Sequence, residues 1–159
     1  MIVRSHLRLY PDPVLRRKAA PVASIDGKIH ALMETMTHIM YSCQGIGLAA
    51  PQLGVLQRVI AADVGEGLLT LANPEILSRE GDEELFEGCL SLPGITVNVR
   101  RQSLVVVKGI DAKGKECERV ITGLAARVVQ HEIDHLNGVI ILDHGPAVAL
   151  EHGQGPSGS

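Results

Sequence analysis

Gln130-His131-Glu132-Ile133-Asp134-His135 is the stretch on which the reading of this chain turns. It lies near the C-terminal end of residues 122–137, whose pattern predicts a helix. On a helix, positions four apart share one face, with Cβ atoms roughly 5–6 Å apart. His131 and His135 can therefore offer two imidazoles to one metal ion, with Glu132 at the rim of that face to take a proton from water. A pattern this short also arises by chance, so a third ligand must come from elsewhere. In the longer motif His-Glu-x-x-His-x-x-Gly-x-x-His the last position falls at Ile141, which ligates nothing. Of the later acids, Asp143 and Glu151, the second sits in a Gly-rich tail. The third ligand is expected upstream.

Glu87-Gly88-Cys89-Leu90-Ser91-Leu92-Pro93 supplies it. Cys89 falls where a strand-like run gives way to a loop, beside a glycine that lets backbone come close. Cys43 and Cys117 have no such surroundings and read as small packing residues. Two histidines and one thiolate make a three-ligand set with an open fourth position, the catalytic pattern. A metal-stabilised binding module would need a fourth protein ligand, and a general metallopeptidase a downstream third. Neither is evident near the motifs.

With 159 residues, 45% of them apolar, the chain can build one domain with its own core. A net charge of −3 gives no basic footprint, so neither nucleic acid nor an anionic membrane is expected as a partner. No apolar run approaches the ~20 residues that cross a bilayer. Arg4, His6 and Arg8 interrupt any signal-peptide core, and three cysteines form no even disulfide framework. A reducing, cytoplasmic setting is expected. With no Trp, one Phe and two Tyr, stacking on bases is not the purpose of this chain.

Along the chain, Tyr10-Pro11-Asp12-Pro13-Val14-Leu15-Arg16 reads as a turn. A helix is predicted after Ser24 or Asp26, either of which can cap it, with an apolar stripe of Ile29, Leu32, Met33, Met36, Ile39 and Met40. The methionines read as core filling rather than a soft-metal surface. Gln44-Gly45 ends this helix, with Gly45 expected in the left-handed position. Gly45-Ile46-Gly47-Leu48-Ala49-Ala50-Pro51-Gln52 is rich in small residues and admits a close backbone, though a tightly packed loop would look the same. Gln52 stands out there, because its amide needs partners. Strands are predicted at 58–64 and 68–72 with a hairpin at Gly65-Glu66-Gly67, then at 76–79, 84–90, 103–110 and 115–121. The expected fold is α+β: antiparallel β-sheets packed around a C-terminal metal-binding helix, with an N-terminal amphipathic helix. One catalytic domain is expected over residues 1–145, followed by a Gly/Pro/Ser-rich tail over 146–159.

Taken together, the Gly45–Gln52, Glu87–Ser91 and Gln130–His135 motifs, in that order, resemble those of the peptide deformylases, which remove the formyl group from the N-terminal formyl-methionine of nascent polypeptides. The lead-in at Pro11 and Gly123-Leu124-Ala125-Ala126-Arg127 are similar too, so the likeness runs from about residue 9 to 143. The resemblance implies Cys89, His131 and His135 as ligands of one divalent metal ion, Fe2+ in the native enzyme, with Zn2+, Ni2+ or Co2+ able to substitute. The donor set itself suits zinc and iron(II) equally. It implies that water activated by the metal attacks the formyl carbon, with Glu132 as base and then acid, and Gln52 and the Leu90 backbone N–H holding the oxyanion. Gly45, Ile46 and Gly47 are expected to pair with the substrate backbone; Ile46, Leu85, Leu124 and Val128 are expected to line the methionine pocket. The implied partners are formyl-methionyl peptides of nascent chains, with the ribosome nearby. A relative that acts on other N-formylated substrates would carry the same motifs.

Glu87 and Asp134 are expected to orient the ligand histidines or nearby backbone, with Arg100 as a charge partner. His6, His30, His38, His144 and His152 read as surface or packing residues. Three features depart from the family pattern. Gln44 stands where many bacterial members carry an acid. Asn98-Val99-Arg100 replaces Val-Pro-Arg, which predicts a differently shaped loop after Pro93. A long charged C-terminal helix is missing, and with it any basis for ribosome docking through such a tail.

Overall fold

The computed structural model describes residues 6–150. The readings placed on residues 1–5, on Glu151 and His152 and on the end of the tail lie outside them. Its axis is helix α2, Gly123–Leu136, which buries ten of its residues, polar ones included. Such a helix needs neighbours on nearly every side. Gly123, at φ 63°, breaks strand geometry before it. Gly138, at φ 74°, ends the turn after it, and a Cβ there would lie 2.5 Å from the Arg16 carbonyl oxygen, which leaves room only for glycine. Arg58 caps the same end, donating to the Leu136 carbonyl at 2.9 Å and to Asn137 Oδ1 at 3.0 Å.

Among the described residues, eight strands form two antiparallel sheets. The larger has the order β1 (Gly47–Ala49), β2 (Val59–Ala62), β3 (Leu69–Glu80), β6 (Leu104–Ile110), β7 (Glu116–Thr122). The smaller comprises β4 (Glu83–Glu87), β5 (Ile95–Arg101) and β8 (Val148–Ala149). Alternation along β2 shows what sandwiches the larger sheet. Ile60 and Ala62 face the α2 core with Leu71, Val105 and Val129, whereas Val59 and Ala61 face helix α1, Gly27–Ser42. All four β2 residues are buried because both faces are covered. The smaller sheet encloses its own apolar group, in which Cys89 packs with Leu15, Val97, Val99 and Ile141.

The α+β class, the hairpin joining β2 to β3 and the pairing of β6 with β7 follow the sequence. Asp26, not Ser24, caps α1, accepting from the Lys28 and Ile29 N–H groups at 3.0 Å. The methionines of α1 are buried in the core. Gln44, rather than Gly45, takes the left-handed position at φ 57°. The Gly45 N–H instead reaches back to the Met40 carbonyl at 2.9 Å, closing the helix one residue earlier than expected. The strand expected at 76–79 is the far half of one long β3, which passes Pro74 through a register shift. Asn73 at that bend is tied to the Val22 backbone by both its amide atoms. Asn98, Val99 and Arg100 lie in β5, not in a loop; Val97 and Val99 point inward while Asn98 and Arg100 face out. Within the stretch read as tail, β8 pairs with Ile95 and Thr96 of β5.

Leu71 is fully buried between sheet and α2, whereas Leu77, on the same strand, is 44% exposed. Leu71→Ala is expected to lower unfolding free energy by about 2–5 kcal/mol, and Leu77→Ala by no more than about 0.5 kcal/mol; urea titration checks the contrast. Asp143 accepts from the Ile140 N–H at 2.9 Å and from Arg16. Burial raises its pKa, but these hydrogen bonds outweigh it and hold the carboxyl below its usual 3.8. A depressed folded-state value means that the carboxylate stabilises above the unfolded pKa and loses that contribution as pH falls through the folded one. The destabilisation by Asp143→Asn should therefore be full at pH 7 and shrink steadily below about pH 4.

Candidate metal centre

Cys89 follows β4, and His131 and His135 lie one turn apart on α2. One donor atom from each lies within 4.8 Å of the others, and all three residues are buried. Cys89 Sγ is 3.4 Å from His135 Nε2. His131 Nδ1 lies 2.9 Å from Glu87 Oε1, which fixes the proton on Nδ1 and leaves Nε2 as the donor atom. That Nε2 is buried and has no hydrogen-bond partner among the described residues. A buried imidazole nitrogen left unpaired beside a thiol and a second imidazole is what a cation site requires, so the residues present fit a metal ion.

The charges agree with the geometry. Burial lowers the His131 pKa, yet Glu132, Cys89 and Glu87 overcome it, and the net shift is well upward. His135 is held well below its usual value by burial first, and by its neighbours His131 and Arg101.

Glu87 is at the centre of a buried ion network. Arg101 grips it through Nε to Oε2 and Nη2 to Oε1, both at 2.9 Å. Arg127 Nη1 adds a bond to Oε2 at 2.7 Å. Burial raises the Glu87 pKa, but His131 and Arg101 more than reverse this and hold the carboxyl far below its usual range. Asp134 accepts from Arg101 Nη1 at 2.7 Å and lies 3.0 Å from His144 Nε2. The expected charge partner was Arg100; it is Arg101. Along β5 alternate residues face opposite ways, so Arg100 points to solvent and pairs with Asp82 and Glu84. His144, read as a surface or packing residue, is exposed and lies at the rim of this network beside Asp134. His6, His30 and His38 are exposed.

Gln52 is fully buried. Its Oε1 accepts from the Ala49 N–H at 2.9 Å, while Nε2 donates to Ser91 Oγ at 3.1 Å and lies 3.6 Å from Cys89 Sγ. Leu90, next to Cys89, is half-buried. Gly47 on β1 comes so close to α2 that a Cβ there would strike Glu132 Oε2 and stand 2.6 Å from Val128 Cγ1. Gly45 is buried and Ile46 half-buried beside it. Of the apolar candidates, Val128 lies in the core at 3% exposure, whereas Leu85 and Leu124 are 45% and 51% exposed. Sequence reading missed Arg101, Arg127 and Ser91. The inward alternation of β5 was the one signal that could have exposed Arg101.

An α+β frame that gathers a thiol, two imidazoles and a carboxylate around one open position defines a mononuclear metallohydrolase. The family model described as polypeptide deformylase matches residues 5–150. The peptide deformylase of Thermodesulfovibrio yellowstonii is 48% identical over 142 residues, 86% of each chain. That of Halothermothrix orenii is 50% identical over 139 residues, covering 86% of this chain and 90% of the relative. The crystal structure of peptide deformylase from Thermotoga maritima superposes with a TM-score of 0.85 at 45% identity, covering 88% of this chain and 97% of that one. The enzyme from Synechococcus elongatus, solved in complex with actinonin, gives 0.84 at 42% identity, covering 87% and 76%. The chain belongs to the polypeptide deformylase family, whose members are metal-dependent.

A methyl group at position 47 would push the Glu132 carboxylate from its place. Gly47→Ala is expected to lower kcat/KM about 100-fold with the circular dichroism spectrum unchanged. Full activity in that variant would show that Glu132 needs no such gap.

Proposed function

We infer that the chain hydrolyses the N-formyl group from the terminal formyl-methionine of nascent polypeptides, releasing formate and a free amine. The observation that carries it is the buried Cys89, His131 and His135 cluster with Glu132 beside it and the edge strand β1 alongside. Cys89, His131 and His135 hold one divalent ion, which we take to be iron(II), with zinc, nickel or cobalt able to replace it. Bound there, such an ion would supply Lewis acidity.

Glu132 takes a proton from the attacking water and returns it to the departing nitrogen as the C–N bond breaks. The Gln52 amide and the Leu90 backbone N–H donate to the oxygen on which negative charge develops. Gln52 is already fixed by Ala49 and Ser91, so little reorganisation accompanies the step. β1 ends the order of the larger sheet, and we assign its free side, at Gly45, Ile46 and Gly47, to pairing with the peptide backbone. Ile46, Leu85, Leu124 and Val128 receive the methionine side chain. Formyl carbon carries only hydrogen, so a confined site admits it and excludes larger acyl groups. No helix among the described residues is long and apolar enough to cross a membrane. We place the enzyme in the cytoplasm, acting on chains close to the ribosome.

Formate release from formyl-Met-Ala-Ser, on protein loaded anaerobically with iron(II), tests this. Wild type should turn over, chelation should abolish turnover, and added metal should restore it. Glu132→Ala should keep its metal and lose about 10²–10⁴-fold in kcat. Metal-loaded wild type that releases no formate overturns the function; release only from other N-formylated amines moves the substrate class.

A further inference from the structure

Arg127 lies one turn before His131 on α2, so Arg127, His131 and His135 form one row on the helix. It is 5% exposed, and its guanidinium holds three acceptors from the smaller sheet. Nη1 donates to Glu87 Oε2 at 2.7 Å and to the Val99 carbonyl at 2.9 Å; Nη2 donates to the Glu83 carbonyl at 2.7 Å. Glu83 opens β4, Glu87 closes it, and Cys89 follows two residues later. One side chain on the histidine helix thus spans the strand that delivers the thiol. Arg101 also binds Glu87, but it sits on β5 within the same sheet as Glu87. Arg127 reaches Glu87 from the helix.

We propose that Arg127 is a positioning residue for the metal centre, setting the spacing between Cys89 on the sheet side and the two histidines on α2, and holding Glu87 so that His131 keeps Nε2 turned to the metal. The fork geometry matters as much as the charge. A guanidinium meets a carboxylate and two carbonyls in one plane, whereas an ammonium is a point charge with no such fan. Arg127→Lys is therefore not conservative here. Arg100, exposed on β5 and bound to Asp82 and Glu84, is the matched control.

The inference rests on the ligand assignment above, and the two are separable because metal binding is measured without substrate. Wild type, Arg100→Met, Arg127→Met and Arg127→Lys are stripped of metal. Each is then titrated with Co(II) while the visible spectrum is recorded, and with Zn(II) against a chromogenic chelator. One equivalent bound by wild type, with a thiolate-to-cobalt band, upholds the ligands; no binding overturns them.

Given that, Arg127→Met should bind about 10–100-fold more weakly, with altered d–d bands, while Arg100→Met matches wild type. Arg127→Lys should lie between. In the iron(II) proteins kcat should fall with KM for formyl-Met-Ala-Ser changed less than about twofold, since the peptide's own contacts are untouched. If Arg127→Met does not fold, as its near-ultraviolet circular dichroism will show, Arg127→Lys decides alone. A folded Arg127→Lys or Arg127→Met with wild-type affinity and an unchanged cobalt spectrum overturns the proposal.

Discussion

A carboxylate removed from water must be paired, and Glu87 meets that demand with two arginines and a histidine. The partners come from two elements: Arg101 from β5, and Arg127 and His131 from successive turns of α2. Removing one member of such a network would leave charge unpaired in the interior at a cost of several kcal/mol. Because Glu87 stands two residues before Cys89, satisfying its charge also brings the thiol to the histidines. The spacing of the candidate metal ligands is in this sense tied to a buried ion network that links α2 to the smaller sheet.

Closure has a second requirement, imposed by α2. Ten of its fourteen residues are buried, including Gln130, His131, Glu132 and His135. A helix with so much polar surface inside needs a specific partner for each group. Gln130 meets the Gln102 backbone through both amide atoms, Arg127 meets β4 and β5, and Arg58 takes the terminal carbonyl. The sheet face that covers the rest is built from Ala49, Ile60, Ala62 and Leu71, and at Gly47 it leaves a gap one carbon wide in front of Glu132. The carboxylate is consequently held in a low-dielectric setting, where its effect on a nearby proton or cation exceeds what it would be in water.

Local signals were legible. The i, i+4 histidines, the stripe of α1 and the Gly65-Glu66-Gly67 hairpin depend on residues close in sequence, and each appears where the spacing places it; the α1 cap, left between Ser24 and Asp26, is Asp26. What escaped depends on distant residues. Arg127 and Glu87 are forty positions apart, and Arg101 and Glu87 fourteen. Arginine in a sequence reads as a solvated charge, and nothing local says which of Arg100 and Arg101 turns inward once β5 has been taken for a loop. Gln44 in the left-handed position is a smaller case of the same kind. Glycine is the usual occupant, but the register of the final α1 hydrogen bonds, set by packing against the sheet, put the position one residue earlier.

Gln52, which we assign to the developing oxyanion, shows how the same packing would prepare that chemistry. A free glutamine side chain samples several rotamers, and fixing it as a donor during reaction would raise the barrier. Here its carbonyl oxygen is occupied by Ala49 and its nitrogen by Ser91, so the amide plane is set before any substrate arrives. The backbone around it is laced down as well: the Gln52 carbonyl accepts from Arg8 and the Ser91 carbonyl from Tyr10, at 2.7 and 2.8 Å. The N-terminal segment thus splints the first and second motifs through its backbone. Orientation entropy that the reaction would otherwise have to overcome is already lost when the chain folds.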